Sequence, residues 1–112
     1  ELSDNKEAEA SSEIKLRVKN ARLVQKERFS KEEKIIYNAR MDNRLTKKYC
    51  SLGKEAKELM SLALNELGLS VRAYDKILKI SRTIADLEGI KDIQEKHISE
   101  AIQYRSLDRK FL

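Results

Sequence analysis

The stretch from Ser70 to Gly89 constrains the fold more than any other part of the chain. Ala73, Ile77, Ile80, Ile84 and Leu87 recur at three- and four-residue steps, the spacing that lines up side chains along one side of a helix. Tyr74, Leu78, Ser81 and Ala85 form a second stripe beside the first. A helix with two adjacent stripes must be contacted from two directions, so residues 71–88 are predicted to be the hub of a bundle. Both ends carry a chemical stop. The Ser70 hydroxyl can accept a bond from a free backbone N–H of the first turn. Gly89 can adopt the left-handed conformation that closes a helix, with Ile90 as its apolar follower.

The same rules apply on either side of the hub. Ala56, Leu59, Met60, Ala63 and Leu67 predict an amphipathic helix over 54–67, closed by Gly68 and Leu69. Asp42 is placed to cap a short helix reaching about Tyr49, with Cys50 at its end as a small buried hydrophobe. Asp92 or Gln94 is placed to cap a last helix with Ile98, Ala101 and Ile102 inward, and residues 108–112 are expected to fray. Toward the N-terminus the signal weakens. Ile14, Val18 and Ala21, with Val24 beyond them, form a narrow stripe that predicts a basic helix over 12–29, capped by Ser11 or Ser12. So narrow a stripe leaves most of that helix without support. Residues 30–41 show no sustained period and read as a connector pinned by Ile35, Ile36, Tyr37 and Met41. Residues 1–11 read as a mobile lead-in.

With no proline and three glycines, the expectation is a single all-α domain over 12–112, its core helices within 42–107. It would be a small helical bundle of roughly four main helices plus a short one. A length of 112 residues at 40% hydrophobic and 38% charged suits one modest core. No apolar run approaches the roughly 18 residues of a membrane span. The acidic opening lacks the basic start and apolar stretch of a signal peptide. A lone cysteine excludes an internal disulfide, so a cytoplasmic location and no membrane partner are expected. One cysteine and one histidine, His97, make no zinc site, and His97 reads as structural. Tyr74 and Tyr104 read as core residues with their hydroxyls toward water. The first residue is Glu1 rather than methionine, a start expected of an excised fragment of a longer protein and equally of proteolysis or methionine removal.

The net charge of +5 is unevenly spread. Residues 1–14 hold five acids and one lysine, whereas residues 15–48 hold twelve Lys and Arg against four acids. Such a block can meet a phosphate backbone or an acidic partner, or form a solvated face. Arg22, Arg28, Lys47 and Lys48 are the candidates for contact with DNA or a neighbouring subunit. Arg72 stands apart. It falls in the first turn of the predicted hub, where the helix dipole disfavours a cation, and its planar fork suits a phosphate.

The local pattern sharpens that reading. The run Gly68-Leu69-Ser70-Val71-Arg72-Ala73-Tyr74, closed by Thr83-Ile84-Ala85-Asp86-Leu87-Glu88-Gly89, resembles the C-terminal domain of the magnesium chelatase-like ATPases. The competence-related ComM/YifB group fits better than the chlorophyll-pathway metal inserters. The likeness continues through Asp92-Ile93-Gln94, His97 and residues 100–107. Upstream it takes in Arg17-Val18, Ala21-Arg22, Gln25, Arg28-Phe29, Asn38-Ala39 and Tyr49-Cys50. Val71 stands where alanine is usual and Glu95 where proline commonly opens the last helix. Segment 30–37 is Lys/Glu-rich where the family often has a glycine-containing loop.

The resemblance implies the helical lid of a AAA+ ATPase, with Arg72 matching the "sensor 2" arginine that reaches the nucleotide γ-phosphate. It implies ATP and Mg2+ as cofactors of the parent protein, with none bound by this fragment alone. The partners implied are the missing AAA+ core and the neighbouring subunits of a hexameric ring, with DNA as the substrate during natural transformation. No Gly-x-x-x-x-Gly-Lys-Ser/Thr loop occurs, so the chain alone is not expected to hydrolyse ATP, while its parent is. Two other readings stay open. One is a free-standing DNA-binding module using 15–48, although no helix-turn-helix signature or aromatic platform accompanies it. The other is an interaction domain in which Arg72 meets a protein carboxylate.

Overall fold

The computed structural model describes the backbone of residues 2–35 and 37–111 and the side chains of residues 10–35 and 37–104. Five α-helices follow one another: α1 (Leu2–Arg28), α2 (Asn43–Tyr49), α3 (Lys54–Leu67), α4 (Val71–Glu88) and α5 (Glu95–Phe111). A 3-10 turn, Asn38–Arg40, interrupts the connector between α1 and α2. The fold is all-α, as expected. Among the described residues the sole β-type pairing is a parallel bridge between Leu52 and Ile93, which ties the loop before α3 to the loop before α5. None of the described helices is long and apolar enough to cross a membrane.

The stops act where the sequence put them. Ser70 Oγ accepts from the Ala73 N–H at 3.1 Å, and Asp42 Oδ1 accepts from the Leu45 N–H at 2.9 Å. Gly68 (φ 58°) and Gly89 (φ 72°) are left-handed, a conformation that a Cβ would strain. Beyond them Leu69 and Ile90 donate back to Leu64 and Ala85. At the start of α5 neither Asp92 nor Gln94 supplies the bond described; His97 Nδ1, three residues in, accepts from the Gln94 N–H at 2.8 Å.

α1 departs from expectation at its start. The helix begins at Leu2, so residues 2–11 lie within it and Ser11 and Ser12 are interior positions rather than caps. Glu7, Ala8, Glu9 and Ala10 are good helix formers, and propensity continues a helix where no apolar stripe exists. The tail also stays helical, through Phe111. The roles expected of Ile36 and of Leu112 fall outside the described residues.

α4 is the hub. It packs against α1, α2, α5 and the 3-10 turn, while α3 packs on α5. Leu45, Met60, Ile77 and Ile98 are fully buried at the centre, flanked by Phe29, Met41, Leu78 and Ile93. Each such side chain stabilises the fold by about 1.5–3 kcal/mol relative to exposure. α1 contributes less. Ala21 is buried and Val18 half-buried, but Ile14 and Val24 of the expected stripe are exposed, as are Leu16 and Leu23. In the connector Met41 is buried and Ile35 half-buried, whereas Tyr37 is 60% exposed and pins nothing.

Candidate functional site

Arg72 lies two residues past the Ser70 cap and is exposed. It borders a groove of about 840 Å3 between α1, α4 and α5, with Arg17 on the α1 side and Lys76 and Lys79 further along α4. Ile80, Ile84 and Leu87 supply the apolar lining. Two of the three acids lining the groove are in ion pairs. Asp75 Oδ2 holds Lys79 Nζ at 2.8 Å, and Glu88 Oε2 receives Lys96 Nζ at 3.1 Å and His97 Nε2 at 2.9 Å. Because His97 Nδ1 is an acceptor, its Nε2 carries the proton given to Glu88. That bond, with the one from Lys96, holds the Glu88 carboxyl below its ordinary range. Among the described residues Arg17, Arg72 and Lys76 make no ion pair, which leaves three uncommitted cations in the groove. The third acid, Glu100, accepts only from the Tyr104 hydroxyl at 3.3 Å, so three uncommitted cations stand against one unpaired carboxylate, and the guanidinium forks suit phosphate oxygens.

The far end of α4 is built differently. Arg28, the last residue of α1, makes a bidentate pair with Asp86: Nη1 to Oδ2 at 2.8 Å and Nη2 to Oδ1 at 2.7 Å. Arg82 Nε donates to the same Oδ1 at 3.2 Å. Asn38 completes the cluster. Its amide donates to Asp86 Oδ2 at 2.8 Å and to Thr83 Oγ1 at 3.0 Å, and its Oδ1 accepts from Arg28 at 2.7 Å. Arg82 also donates to the carbonyls of Tyr49, Ile90 and Lys91, so it anchors two loops to α4. The side chains of Arg28, Arg82 and Asp86 are 8%, 5% and 1% exposed, which excludes water from the pairs. Burial lowers the pKa of the Arg82 guanidinium, and the Asp86 charge opposes that shift. Among the described residues no buried side-chain nitrogen or oxygen lacks a partner. One carboxylate thus serves two guanidiniums and a carboxamide in a closed clamp.

With both ends of α4 in view, comparison with known proteins decides the lineage. The family described as magnesium chelatase, subunit ChlI C-terminal, matches residues 8–105. The chain belongs to this family. It is similar to the competence protein ComM of Haemophilus influenzae, at 41% identity over 101 residues. It is also similar to the uncharacterized protein YifB of Salmonella typhimurium (39%) and of Escherichia coli (38%). Each alignment covers 90% of this chain and 19% of the relative, so the chain spans about a fifth of the relatives' length. No solved structure matches.

Within this magnesium chelatase C-terminal domain the basic candidates separate. Arg28 is not a surface contact. Its guanidinium is spent on Asp86 and Asn38 and lies 5.4 Å from the Tyr49 ring centroid. Arg22 is exposed on the flank of α1 beside Lys15, Lys19 and Lys26. Lys47 borders a depression with Cys50 and Tyr74, and Lys48 Nζ sits 5.3 Å from the Tyr49 ring centroid. None of Arg22, Lys47 and Lys48 lines the Arg72 groove.

Cys50 is buried, and burial pushes its thiol up to about 11, so it packs rather than reacts. His97 is wholly buried in its capping role. Tyr104 is no core residue: it is 49% exposed, with its hydroxyl 3.3 Å from Glu100. The clamp escaped the sequence reading, although it left a trace. Asp86 is an acid near the negative end of a helix, four residues after Arg82, the less favourable order for a pair on one helix. A carboxylate kept there against both preferences has a partner elsewhere.

Proposed function

We propose that this chain is the helical lid of a AAA+ ATPase and that Arg72 reaches the phosphates of a bound nucleotide. One observation carries the reading: Arg72 is exposed and unpaired among the described residues, at the start of the most firmly packed helix, in a groove with two further uncommitted cations. A guanidinium held on a rigid element stabilises charge on a phosphoryl group without reorganising. It also links nucleotide state to the position of the lid, because any force on Arg72 is delivered to α4 and through the clamp to α1.

The groove holds Arg17, Arg72, Lys76 and Lys79 against Asp75, Glu88 and Glu100, an excess of one positive charge (4 − 3) that favours the polyphosphate part of ATP. Among the described residues no group of three His, Cys, Asp or Glu side chains converges, so Mg2+ would be held by the nucleotide and by parts of the parent outside this chain. The rest of the active site, including a phosphate-cradling loop, would likewise come from the parent. The name of one relative, a competence protein, supports a parent that processes DNA during natural transformation. The ring and its neighbouring subunits, like the cytoplasmic location, belong to the same proposal.

The test is the ATPase rate of the parent protein carrying Arg72→Ala. The reading expects the rate to fall by tenfold or more, as for lost transition-state donors, with the thermal midpoint of the domain unmoved. An unchanged rate would remove Arg72 from the mechanism.

A further inference from the structure

α1 and α4 lie side by side and run in one direction, and the clamp fixes their register. Arg28 meets Asp86, which lies 58 residues further along the chain. Gln25 and Thr83, the same 58 residues apart, both bond Asn38. Gln25 Oε1 accepts from the Asn38 backbone N–H at 3.3 Å, and Thr83 Oγ1 accepts from its amide at 3.0 Å. Both helices rise about 1.5 Å per residue, so the register can be followed toward their starts. It sets Arg17 level with Asp75, three residues or about 4.5 Å past Arg72. Arg17 is also in line with Ala21 and Arg28, four and eleven residues on, along the side of α1 that packs on the body. Among the described residues it is the one α1 side chain that lines the Arg72 groove.

Arg17 and Asp75 thus repeat the spacing of Arg28 and Asp86, with the opposite outcome. At the clamp the guanidinium closes on its carboxylate and both are buried. At the groove Asp75 Oδ2 is held within α4 by Lys79 Nζ at 2.8 Å, and Arg17 is left exposed. A guanidinium on the packed side of one helix, bordering a groove that holds a second guanidinium from another, suits an anion that accepts from both. α1 has use for such a fastening. Between residues 10 and 20 only Val18 is even half-buried, while Ile14 and Leu16 are exposed. With so few buried contacts, this half of the helix opens more readily than the clamped half.

We infer that Arg17 is a second phosphate-binding residue, reaching from α1 to the same polyphosphate as Arg72, so that bound nucleotide bridges the two helices and fastens the free half of α1 to the hub. This role rests on the nucleotide reading of Arg72 and adds a contact from a different helix. Lys76 shares α4 with Arg72 and cannot form such a bridge. A polyphosphate offers several oxygens to two forks at once, and the clamp holds those forks in register before the ligand arrives.

The test is made in the parent protein, by ATP affinity and by amide hydrogen exchange of residues 10–20 with and without a saturating non-hydrolysable ATP analogue. Arg17→Ala should weaken ATP binding by roughly tenfold, the scale of one lost charge-assisted contact, with the thermal midpoint unmoved. The analogue should slow exchange of residues 10–20 by about threefold or more in the unsubstituted protein and leave it unchanged in Arg17→Ala. Lys19→Ala removes the same charge from the other flank of α1 and should change ATP affinity by less than about twofold. Unchanged ATP affinity in Arg17→Ala beside weak binding in Arg72→Ala would overturn the role of Arg17 and leave that of Arg72 standing. Unchanged affinity in both variants would overturn both roles. Equal losses in Arg17→Ala and Lys19→Ala, or protection of residues 10–20 that persists in Arg17→Ala, would each overturn the bridge.

Discussion

The two ends of α4 hold arginines of the same chemistry in opposite circumstances. At the C-terminal end Arg28 and Arg82 close on Asp86 out of contact with water, and every polar atom there is matched. At the N-terminal end Arg72 is exposed, with Arg17 and Lys76 equally uncommitted in its groove. A guanidinium inside a closed network fixes the arrangement of elements; one projecting from a rigid helix is available to a ligand. Substitution at one end should therefore cost stability, and at the other activity.

The largest expected effect is at the closed end. Asp86→Ala leaves two buried guanidiniums without their carboxylate and should cost about 3–5 kcal/mol in denaturant unfolding. A loss below about 1 kcal/mol would mean that the clamp does not hold α1 to α4. A smaller effect belongs to the open end: Ser70→Ala removes the acceptor of the Ala73 N–H and should cost about 1 kcal/mol. A cost as large as that of Asp86→Ala would erase the contrast between the ends.

The smallest effect is a pH dependence from Glu88, where α4 meets α5. Its folded pKa is depressed below 4.5, chiefly by the bond from His97 and then by that from Lys96. A depressed carboxylate stabilises the fold above its unfolded pKa and loses that contribution as pH falls through the folded value. Thermal midpoints should therefore decline below about pH 4.5, with a flatter decline in Glu88→Gln. Identical profiles would remove Glu88 from the acid response.

How far the sequence could be read follows the same division. α3 and α4 were legible because apolar periodicity, two glycine stops and a serine cap are local signals that agree with one another. α1 was legible only as a weak stripe, because what docks it is polar and distant in the chain. Arg28 and Asp86 are 58 residues apart, and no periodicity announces a partner at that separation. Arg28 therefore looked like one more surface cation among the twelve bases of residues 15–48. Arg72 could be singled out because its oddity is local, a cation at the positive end of a helix. The groove around it could not, since Arg17 reaches it from another helix.

The claim that Arg72 reads the terminal phosphate is tested most directly by the affinities of the parent protein for ATP and ADP. A charge-assisted contact to the γ-phosphate predicts that Arg72→Ala weakens ATP binding by roughly tenfold or more and leaves ADP binding unchanged. Equal weakening of both nucleotides, or of neither, would contradict it.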